Sequence, residues 1–338
     1  MPLTSLPETF YSHTSNFQLH PKYNVKHKTI LAKAAFLLAA ATLCSADPKP
    51  IGKQAGEAGI RHSFLITGPD TVLVDESGKE VWRCRGGSRD GFALDNGNFI
   101  IAWKNEVLEL TRENKVKFRY RLGKGNREIG TVAPLPGGNF LITELGPKPR
   151  LLEVGRDGKI AVQFPLKPET DNAHMQTRMA RKNSAGNYWV PHLMAHAVKE
   201  YNLEGEVLRT IRTDIDELGG RAAKNWPFTA IELGNGNLLV GCTLGNKVVE
   251  FNPEDGKVVW KVDNQKAGGL IKDACGVQRL ASGNTVVTSY RAGRGGPKMI
   301  EVDREGQVVW KFESEKLRAV HHFQVLTTNG KKEADALK

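Results

Sequence analysis

Residues 94–103 read LDNGNFIIAW, and this pattern of a Gly-Asn turn followed by an apolar run recurs along the chain. The glycines of the repeat stand at positions 97, 138, 186, 236, 283 and 330, so successive copies are 41 to 50 residues apart. Glycine and asparagine tolerate the positive φ of a tight hairpin turn. Self-similarity at this spacing, without a sustained helical period, indicates a repeat architecture built from strands.

A second series of turns runs out of phase with the first: DESGKEVWR at 75–83, PEDGKVVWKV at 253–262 and REGQVVWKF at 304–312. An apolar–Glu–apolar step precedes most of these turns, with glutamates at 109, 153, 200, 250 and 301. Each unit therefore reads as four short strands, which is the content of one β-propeller blade. We expect the repeated glutamates to face solvent and to pair with lysines across the strands.

The two ends of the repeat region are complementary. Residues 60–85 supply three strands without a first one, and residues 317–330 supply a first strand with its turn. Together they would complete one mixed blade, with five complete units between them. Because an isolated blade leaves its faces and edges unpaired, the units should close into a ring. The sequence thus predicts an all-β, six-bladed β-propeller with four antiparallel strands per blade, closed by N- and C-terminal strands that share one blade.

The N-terminal region has a different character. Residues 26–46, KHKTILAKAAFLLAAATLCSA, have a basic start, an apolar stretch and a small-residue end, which is the build of a secretory signal peptide. A membrane anchor and a core helix are the alternatives, although the apolar run is short for a bilayer. We divide the chain into a signal peptide with a long lead-in over 1–46, a linker over 47–59, the propeller over 60–330 and a C-terminal tail over 331–338. We expect an exported monomer, periplasmic or extracellular, with no membrane span after signal removal.

The composition is that of a turn-rich globular protein, with 35 glycines and 16 prolines among 338 residues. The net charge of +11 falls to +8 when residues 1–46 are removed with their four lysines and one glutamate. Basic residues are scattered and no nucleic-acid motif is present, so a nucleic-acid partner is not expected. Three isolated cysteines remain, Cys84, Cys242 and Cys275, which favours buried thiols, with a Cys242–Cys275 bridge left open.

The turns that lead into the outer strands, such as NPEDGKVVWKV at 252–262, resemble the quinoprotein-type (PQQ-like) propeller repeat, in which a tryptophan docks between blades. Trp82, Trp260 and Trp310 hold that position here, and Phe118 replaces the tryptophan in one unit. Quinone-dependent dehydrogenases of that type use a vicinal cysteine pair and a calcium site, and neither is visible in this sequence. The resemblance therefore implies the fold, and we rank a quinone cofactor last; no cofactor is required by the sequence.

Two inner-strand segments, HHFQVLTTNG at 321–330 and NAHMQTRMARKNSAGN at 172–187, resemble those of arylsulfotransferase-like propellers. In that family such a histidine accepts the sulfuryl group, and an arginine with further histidines stabilises it. The resemblance implies a group-transfer enzyme in which His322 and His174 are the catalytic residues.

The loops that enter the inner strands and those that join second to third strands share one face of a propeller, around the mouth of the channel. Imidazole is a nucleophile and a base near neutral pH, and arginine binds sulfate, phosphate or carboxylate. We expect the mouth to bind a small anionic molecule or a cell-envelope component, or to carry out group transfer, although polar residues also gather there simply to meet water. No metal site is predicted, since the histidines of HLMAH at 192–196 do not lie on a helix. The predicted ligand-binding residues are Arg89, Glu128, Arg178, His192, His196, Trp226, Asp273, Arg291 and His321.

The leader predicts a mature chain that begins at Asp47. Expression of the full sequence in a secreting host should deliver the protein outside the cytoplasm, with an intact mass that matches residues 47–338. Replacing Leu37 and Leu38 by arginine interrupts the apolar stretch and should leave an uncleaved chain in the cytoplasm. A full-length mass in the exported fraction would contradict cleavage, and a wholly cytoplasmic wild type would contradict export.

Overall fold

The computed structural model describes residues 50–333 and residue 338, so the predicted signal peptide lies outside the described residues. Strands dominate this part of the chain. Its five 3₁₀ helices are single turns in loops, and none is long and apolar enough to cross a membrane. These helices are Glu57–Gly59, Pro136–Gly138, Ala173–Met175, Asp216–Leu218 and Arg221–Ala223.

The strands, numbered along the chain, form six small antiparallel sheets that are the blades of a β-propeller, as predicted. Blade 1 holds β2 (His62–Thr67), β3 (Thr71–Val74), β4 (Glu80–Cys84), β25 (His322–Thr328) and β26 (Lys331–Lys332). Blade 2 holds β5 (Asp90–Ala93), β6 (Phe99–Ala102), β7 (Glu106–Leu110) and β8 (Val116–Arg121). Blade 3 holds β9 (Glu128–Pro134), β10 (Phe140–Leu145), β11 (Arg150–Val154) and β12 (Ile160–Pro165). Blade 4 holds β13 (Arg181–Lys182), β14 (Tyr188–His192), β15 (Ala197–Tyr201) and β16 (Val207–Arg212). Blade 5 holds β17 (Asn225–Glu232), β18 (Leu238–Leu244), β19 (Lys247–Phe251) and β20 (Val258–Asp263). Blade 6 holds β1 (Lys53–Gly56), β21 (Val277–Arg279), β22 (Thr285–Thr288), β23 (Pro297–Val302) and β24 (Val308–Glu313).

The ring closes in blade 1, where strands from the two ends of the propeller pair. Strand β2 runs antiparallel to β25, with Phe64 opposite Val325 and Leu65 opposite Gln324. The inner strand of this blade and the short β26 beside it therefore come from the C-terminal side, and β2, β3 and β4 come from the N-terminal side. This arrangement confirms the mixed blade predicted from the sequence.

The propeller extends into both segments that the sequence assigned to a linker and a tail. Strand β1 adds a fifth strand to the outer edge of blade 6, where Gly56 lies opposite Trp310, and β26 pairs with the end of β25. The glycines make the close approach of β1 feasible, because a Cβ on Gly56 would press on Trp310 and one on Gly52 on Phe312. The KQAG stretch at 53–56 carries no apolar alternation, so sequence periodicity could not identify it as a strand.

The five repeated glutamates are buried, and the expectation that they face solvent was wrong. Glu250 on β19 is 1% exposed. Its carboxylate accepts a bond of 2.8 Å from Asn237, the asparagine of the Gly-Asn turn in its own blade. It also accepts bonds from Arg279 at 3.0 Å and Arg304 at 2.8 Å, both in blade 6. The third strand of a blade is covered by neighbouring blades on both faces, so both of its sides are interior.

The same linkage recurs around the ring, with the partner from the next blade changing from site to site. Three more glutamates are partnered from the next blade: Glu109 by Arg156, Glu153 by Tyr188 and Lys182, and Glu301 by His62. Glu109 and Glu301 also accept from the turn asparagines Asn98 and Asn284. Glu200 differs, because it accepts from Asn187 and forms an ion pair with Arg209, both in its own blade. The asparagine of the Gly-Asn turn thus binds the glutamate in four of these five blades.

The outer-strand aromatic residues pack between blades, as the repeat resemblance implied. Trp82 stacks on Phe99 of blade 2, with ring centroids 3.9 Å apart. Trp310 meets His62 of blade 1 edge-on at 4.6 Å. The remaining pairs are Trp260 with Arg279 and Arg304 of blade 6, and Phe118 with Phe140 of blade 3.

The inter-blade carboxylate should contribute measurably to stability. We expect Glu250→Gln to lower the free energy of unfolding by about 1–3 kcal/mol, because Arg279 and Arg304 lose a charged acceptor in a buried position. The exposed Glu305→Gln in the adjacent turn is the control and should change stability by less than about 0.5 kcal/mol.

Thermal and urea unfolding measure both variants, and their pH dependence adds a second test. Burial alone would raise the pKa of Glu250, but the bonds from Arg304 and Asn237 outweigh burial and hold this pKa below its ordinary value. The contribution of Glu250 is therefore complete above the ordinary glutamate pKa and is lost as the pH falls below about 4. Equal stability of the wild type and Glu250→Gln at neutral pH would contradict the structural role.

Candidate functional site

The inner strands of all six blades begin on the same face, and one residue from each blade lies at the channel mouth. These residues form a closed series of neighbours. Arg89 pairs with Glu128, and the Glu128 charge acts on Arg178. Arg178 lies over Phe228, which packs with both Cys275 and His321. The His321 ring contacts the backbone carbonyl of Arg89 and so closes the series. We call this set of six the mouth ring: Arg89, Glu128, Arg178, Phe228, Cys275 and His321.

Arg89 is held in place by its backbone and by a buried carboxylate. Its N–H donates to the carbonyl of Ala102 at 2.8 Å, which fixes the residue at the start of the inner strand of blade 2. Its guanidinium lies 3.0 Å from Oε2 of Glu128 and 3.2 Å from Nδ1 of His174. The same His174 nitrogen lies 3.4 Å from Oε1 of Glu128, so the protonation of His174 decides which neighbour it bonds.

Arg178 is the most deeply buried charge of the mouth ring, with 3% of the residue exposed. Its guanidinium lies 5.4 Å above the Phe228 ring, and NH1 donates to the carbonyl of Thr177 at 3.0 Å. Nε of Arg178 and NH1 of Arg89 are both buried and find no hydrogen-bond partner within residues 50–333. Two guanidinium groups at the mouth therefore keep donors that the protein itself does not satisfy.

The charged form of Arg178 is disfavoured by burial and by the neighbouring arginine. Burial and then the positive charge of Arg89 lower the pKa of Arg178 to about 9, against the opposing effect of the Glu128 carboxylate. Burial also lowers the pKa of Arg89, although Glu128 opposes this change. For Glu128, the nearby His174 ring and the charge of Arg89 outweigh burial, so its pKa lies below the ordinary value and the carboxylate is ionised at neutral pH. One carboxylate thus faces two buried cations.

A cavity of about 240 Å³ opens beside this cluster, and of the mouth ring it is Arg89 and His321 that line it. The basic side of the cavity is formed by Arg89, Lys104, His174 and His321, and its apolar side by Tyr290 and Pro69. The His321 ring packs edge-on against Tyr290, with centroids 5.6 Å apart. The described lining contains no carboxylate that would repel an anion, and its apolar side suits a ligand with an apolar body.

His322 lies one layer deeper than the mouth ring, although the resemblance to arylsulfotransferases paired it with His174. It is fully buried, its Nδ1 lies 3.7 Å from Oδ1 of Asp90, and neither ring nitrogen has a hydrogen-bond partner among the described residues. Burial holds the pKa of His322 well below its ordinary value. Asp90 in turn accepts bonds from Thr131 at 2.8 Å and Arg181 at 3.1 Å. The structure places His321, not His322, in the cavity beside His174.

The other predicted ligand-binding residues lie away from the cavity. His192 is enclosed by Glu169 at 3.2 Å and the Tyr201 hydroxyl at 2.9 Å, which uses both of its ring nitrogens. The remaining four form two separate pairs on the same face. Nε1 of Trp226 donates to Nε2 of His196 at 3.0 Å, and Nε of Arg291 lies 2.9 Å from Asp273.

A larger groove of about 810 Å³ lies among the Gly-Asn turns rather than at the mouth ring. Two of its basic side chains are paired with carboxylates, Arg181 with Asp90 and Lys182 with Glu153, and the third, Lys338, donates to the carbonyl of Gly91. At the mouth, by contrast, the single carboxylate of Glu128 serves two arginines, so the mouth is the better candidate for an anion site.

The cysteines and acidic residues suggest no other chemistry. Cys84, Cys242 and Cys275 are all buried free thiols, so the bridge left open by the sequence is not formed. Burial raises the pKa of Cys84 to about 11 and that of Cys242 to about 12, which keeps both thiols protonated and poorly nucleophilic at neutral pH. Across residues 50–333, no group of three or more His, Cys, Asp or Glu side chains is placed to hold a metal ion.

Comparison with known families identifies the chain's relatives. The profile of the Mal s 1 allergenic protein-like family matches residues 71–288, well over half of the 338 residues. The chain belongs to the Mal s 1 allergenic protein-like family. The matched region contains every member of the mouth ring except His321, which lies on the C-terminal strand that closes the ring. No curated protein matches the sequence significantly.

Several solved structures share the fold of this Mal s 1-like chain. A protein of unknown function from Bacteroides caccae superposes with a TM-score of 0.69 at 22% identity, covering 78% of this chain and 98% of its own. A catalytically inactive histidine-to-alanine variant of virginiamycin B lyase from Staphylococcus aureus, solved with quinupristin, gives a TM-score of 0.55 at 12% identity over 85% of this chain and 98% of its own. The WD40 propeller domain of Doa1 gives 0.54 at 7% identity over 85% and 95% of the respective chains. At these identities the likeness concerns the fold alone.

Proposed function

We propose that this chain is an exported β-propeller that binds a small anion at the mouth ring. The observation that carries the proposal is the pair of buried guanidinium groups, Arg89 and Arg178, each with an N–H that no described residue accepts. A buried donor left unsatisfied costs about 1–3 kcal/mol, and more when the group is charged. A bound anion would accept both bonds and offset the repulsion between the arginines. Arginine is also the side chain best suited to carboxylate, sulfate and phosphate oxygens.

The cavity limits the size of this anion. Sites for drug-sized ligands usually exceed about 300 Å³, so a cavity of about 240 Å³ favours a smaller molecule. A free metabolite or the end group of a cell-envelope component would fit such a volume. Export and kinship with quinoprotein-like propellers are supported by the leader and by the repeat pattern of the sequence, and they remain part of the proposal.

Anion binding should stabilise the protein, and this stabilisation should depend on Arg178. Melting with a panel of sulfonated, phosphorylated and carboxylated compounds should reveal at least one ligand; at one hundred times its Kd the gain would be about 2.7 kcal/mol. Arg178→Met keeps most of the side-chain volume and should abolish the gain. The control is Arg291→Met, which removes the same charge from an arginine that is paired with Asp273 rather than placed beside Phe228 and Arg89, and it should leave the gain unchanged. An unchanged melting temperature across the whole panel would contradict the proposal.

A second candidate function, group transfer through a histidine, is favoured by the tautomer of His321. Nδ1 of His321 lies 3.3 Å from the carbonyl oxygen of Arg89. Because a carbonyl oxygen can only accept a hydrogen bond, Nδ1 carries the proton and Nε2 keeps its lone pair. Burial and the charges of Arg89 and Arg178 hold the pKa of His321 well below its ordinary value, so the ring is neutral and nucleophilic at pH 7.

Group transfer predicts different effects for the two adjacent histidines. With p-nitrophenyl sulfate as the donor and a phenol as the acceptor, the wild type should release p-nitrophenol. His321→Asn should abolish the release, whereas His322→Asn should retain it, because only His321 lines the cavity. Absorbance of the released phenolate is the measurement. Absence of turnover in the wild type, or equal turnover in both variants, would eliminate this second function while leaving anion binding intact.

A further inference from the structure

We propose that Glu128 makes the mouth ring selective for anions that carry a single negative charge, in preference to dianions of the same size. This inference rests on the proposed anion binding and adds the class of ligand. Its basis is the balance of buried charge around the cavity.

The ionised groups of the mouth ring sum to one positive charge. Arg89 and Arg178 are cations, and Glu128, which is 6% exposed, is the carboxylate that lies between them. The other members of the ring add nothing: Phe228 has no charge, burial keeps the Cys275 thiol protonated, and His321 is neutral.

The surroundings of the ring do not change this balance. One layer below, Asp90 and Arg181 form their own ion pair at 3.1 Å. Lys338 lies beside them and donates to the carbonyl of Gly91, and burial holds its pKa well below the ordinary value. On the solvent side, Lys104 is exposed and the His174 side chain is 62% exposed, so water and salt screen any charge they carry. The buried excess of one positive charge therefore belongs to Arg89, Arg178 and Glu128.

A monoanion neutralises this excess, whereas a dianion leaves one uncompensated negative charge beside the buried groups. The cost of that unpaired charge disfavours the dianion between ligands of equal size. Carboxylates, sulfonates, sulfate monoesters and phosphate diesters are the monoanions of this class. The apolar side of the cavity, with Tyr290 and Pro69, suits an aromatic or compact apolar body on the ligand.

The test compares two probes of similar shape and different charge. Benzenesulfonate is a monoanion, and phenyl phosphate is a dianion at pH 8 because the second ionisation of a phosphate monoester has a pKa of about 6. Isothermal titration at pH 8 should give the wild type a lower Kd for benzenesulfonate than for phenyl phosphate. Glu128→Gln raises the buried charge to two while its amide oxygen can still accept from Arg89. This substitution should shift the ratio of the two Kd values toward phenyl phosphate by about tenfold or more.

A matched control separates the local charge from the net charge. Glu313→Gln removes the same charge on the outer strand of blade 6 and should leave the ratio of Kd values at its wild-type value. The wild-type ratio tests the charge balance without any variant, so the test survives a failure of Glu128→Gln to fold. Tighter or equal binding of phenyl phosphate by the wild type, or an unchanged ratio in Glu128→Gln, would overturn the selectivity proposal while anion binding stands. If neither probe binds and Arg178→Met alters no ligand response, the proposed anion binding and the selectivity proposal both fail.

Discussion

A buried carboxylate between adjacent blades is the interaction on which this propeller depends. In blade 5, Glu250 binds the turn asparagine Asn237 on one side and the blade 6 arginines Arg279 and Arg304 on the other. A carboxylate removed from water is tolerated only when it is fully partnered, and here part of its partnership comes from the next blade. A blade separated from its neighbour would keep a buried charge without its counter-ion. Blade formation and ring closure are therefore energetically coupled at these positions.

Ring closure also assembles the mouth. His321 precedes the inner strand of blade 1 and meets the backbone of Arg89 only because β25 pairs with β2, which brings residues 232 positions apart into contact. The other members of the mouth ring come from the inner strands of separate blades, spaced by the length of the repeat. No single blade holds more than one of these residues, so a chain that fails to close has no site.

The turns predicted the fold well because Gly-Asn corners need a positive φ that few other residues accept, and their spacing counts the blades directly. The position of Glu250 was misjudged because its cationic partners lie 29 and 54 residues further along the chain and in another blade. For the site, the prediction that the starts of the inner strands share one face grouped Arg89 with Glu128, and the two side chains are in contact. The choice between His321 and His322 required the orientation of the strand, and two adjacent histidines carry no alternation that reveals it. Phe228 was missed because an apolar residue in a strand gives no signal of function.

Adjacent residues on the inner strands belong to two different layers, and the two layers differ in how their positive and negative charges balance. Arg89 and His321 belong to the mouth, whereas the following residues, Asp90 and His322, lie in the layer below. In the lower layer, Asp90 forms an ion pair with Arg181, and the nearby buried Lys338 also acts on Asp90. At the mouth, one carboxylate must serve two arginines, and the residual charge faces a cavity rather than another blade. The structure therefore places an incompletely compensated buried charge beside a cavity, which a merely structural polar rim would not require.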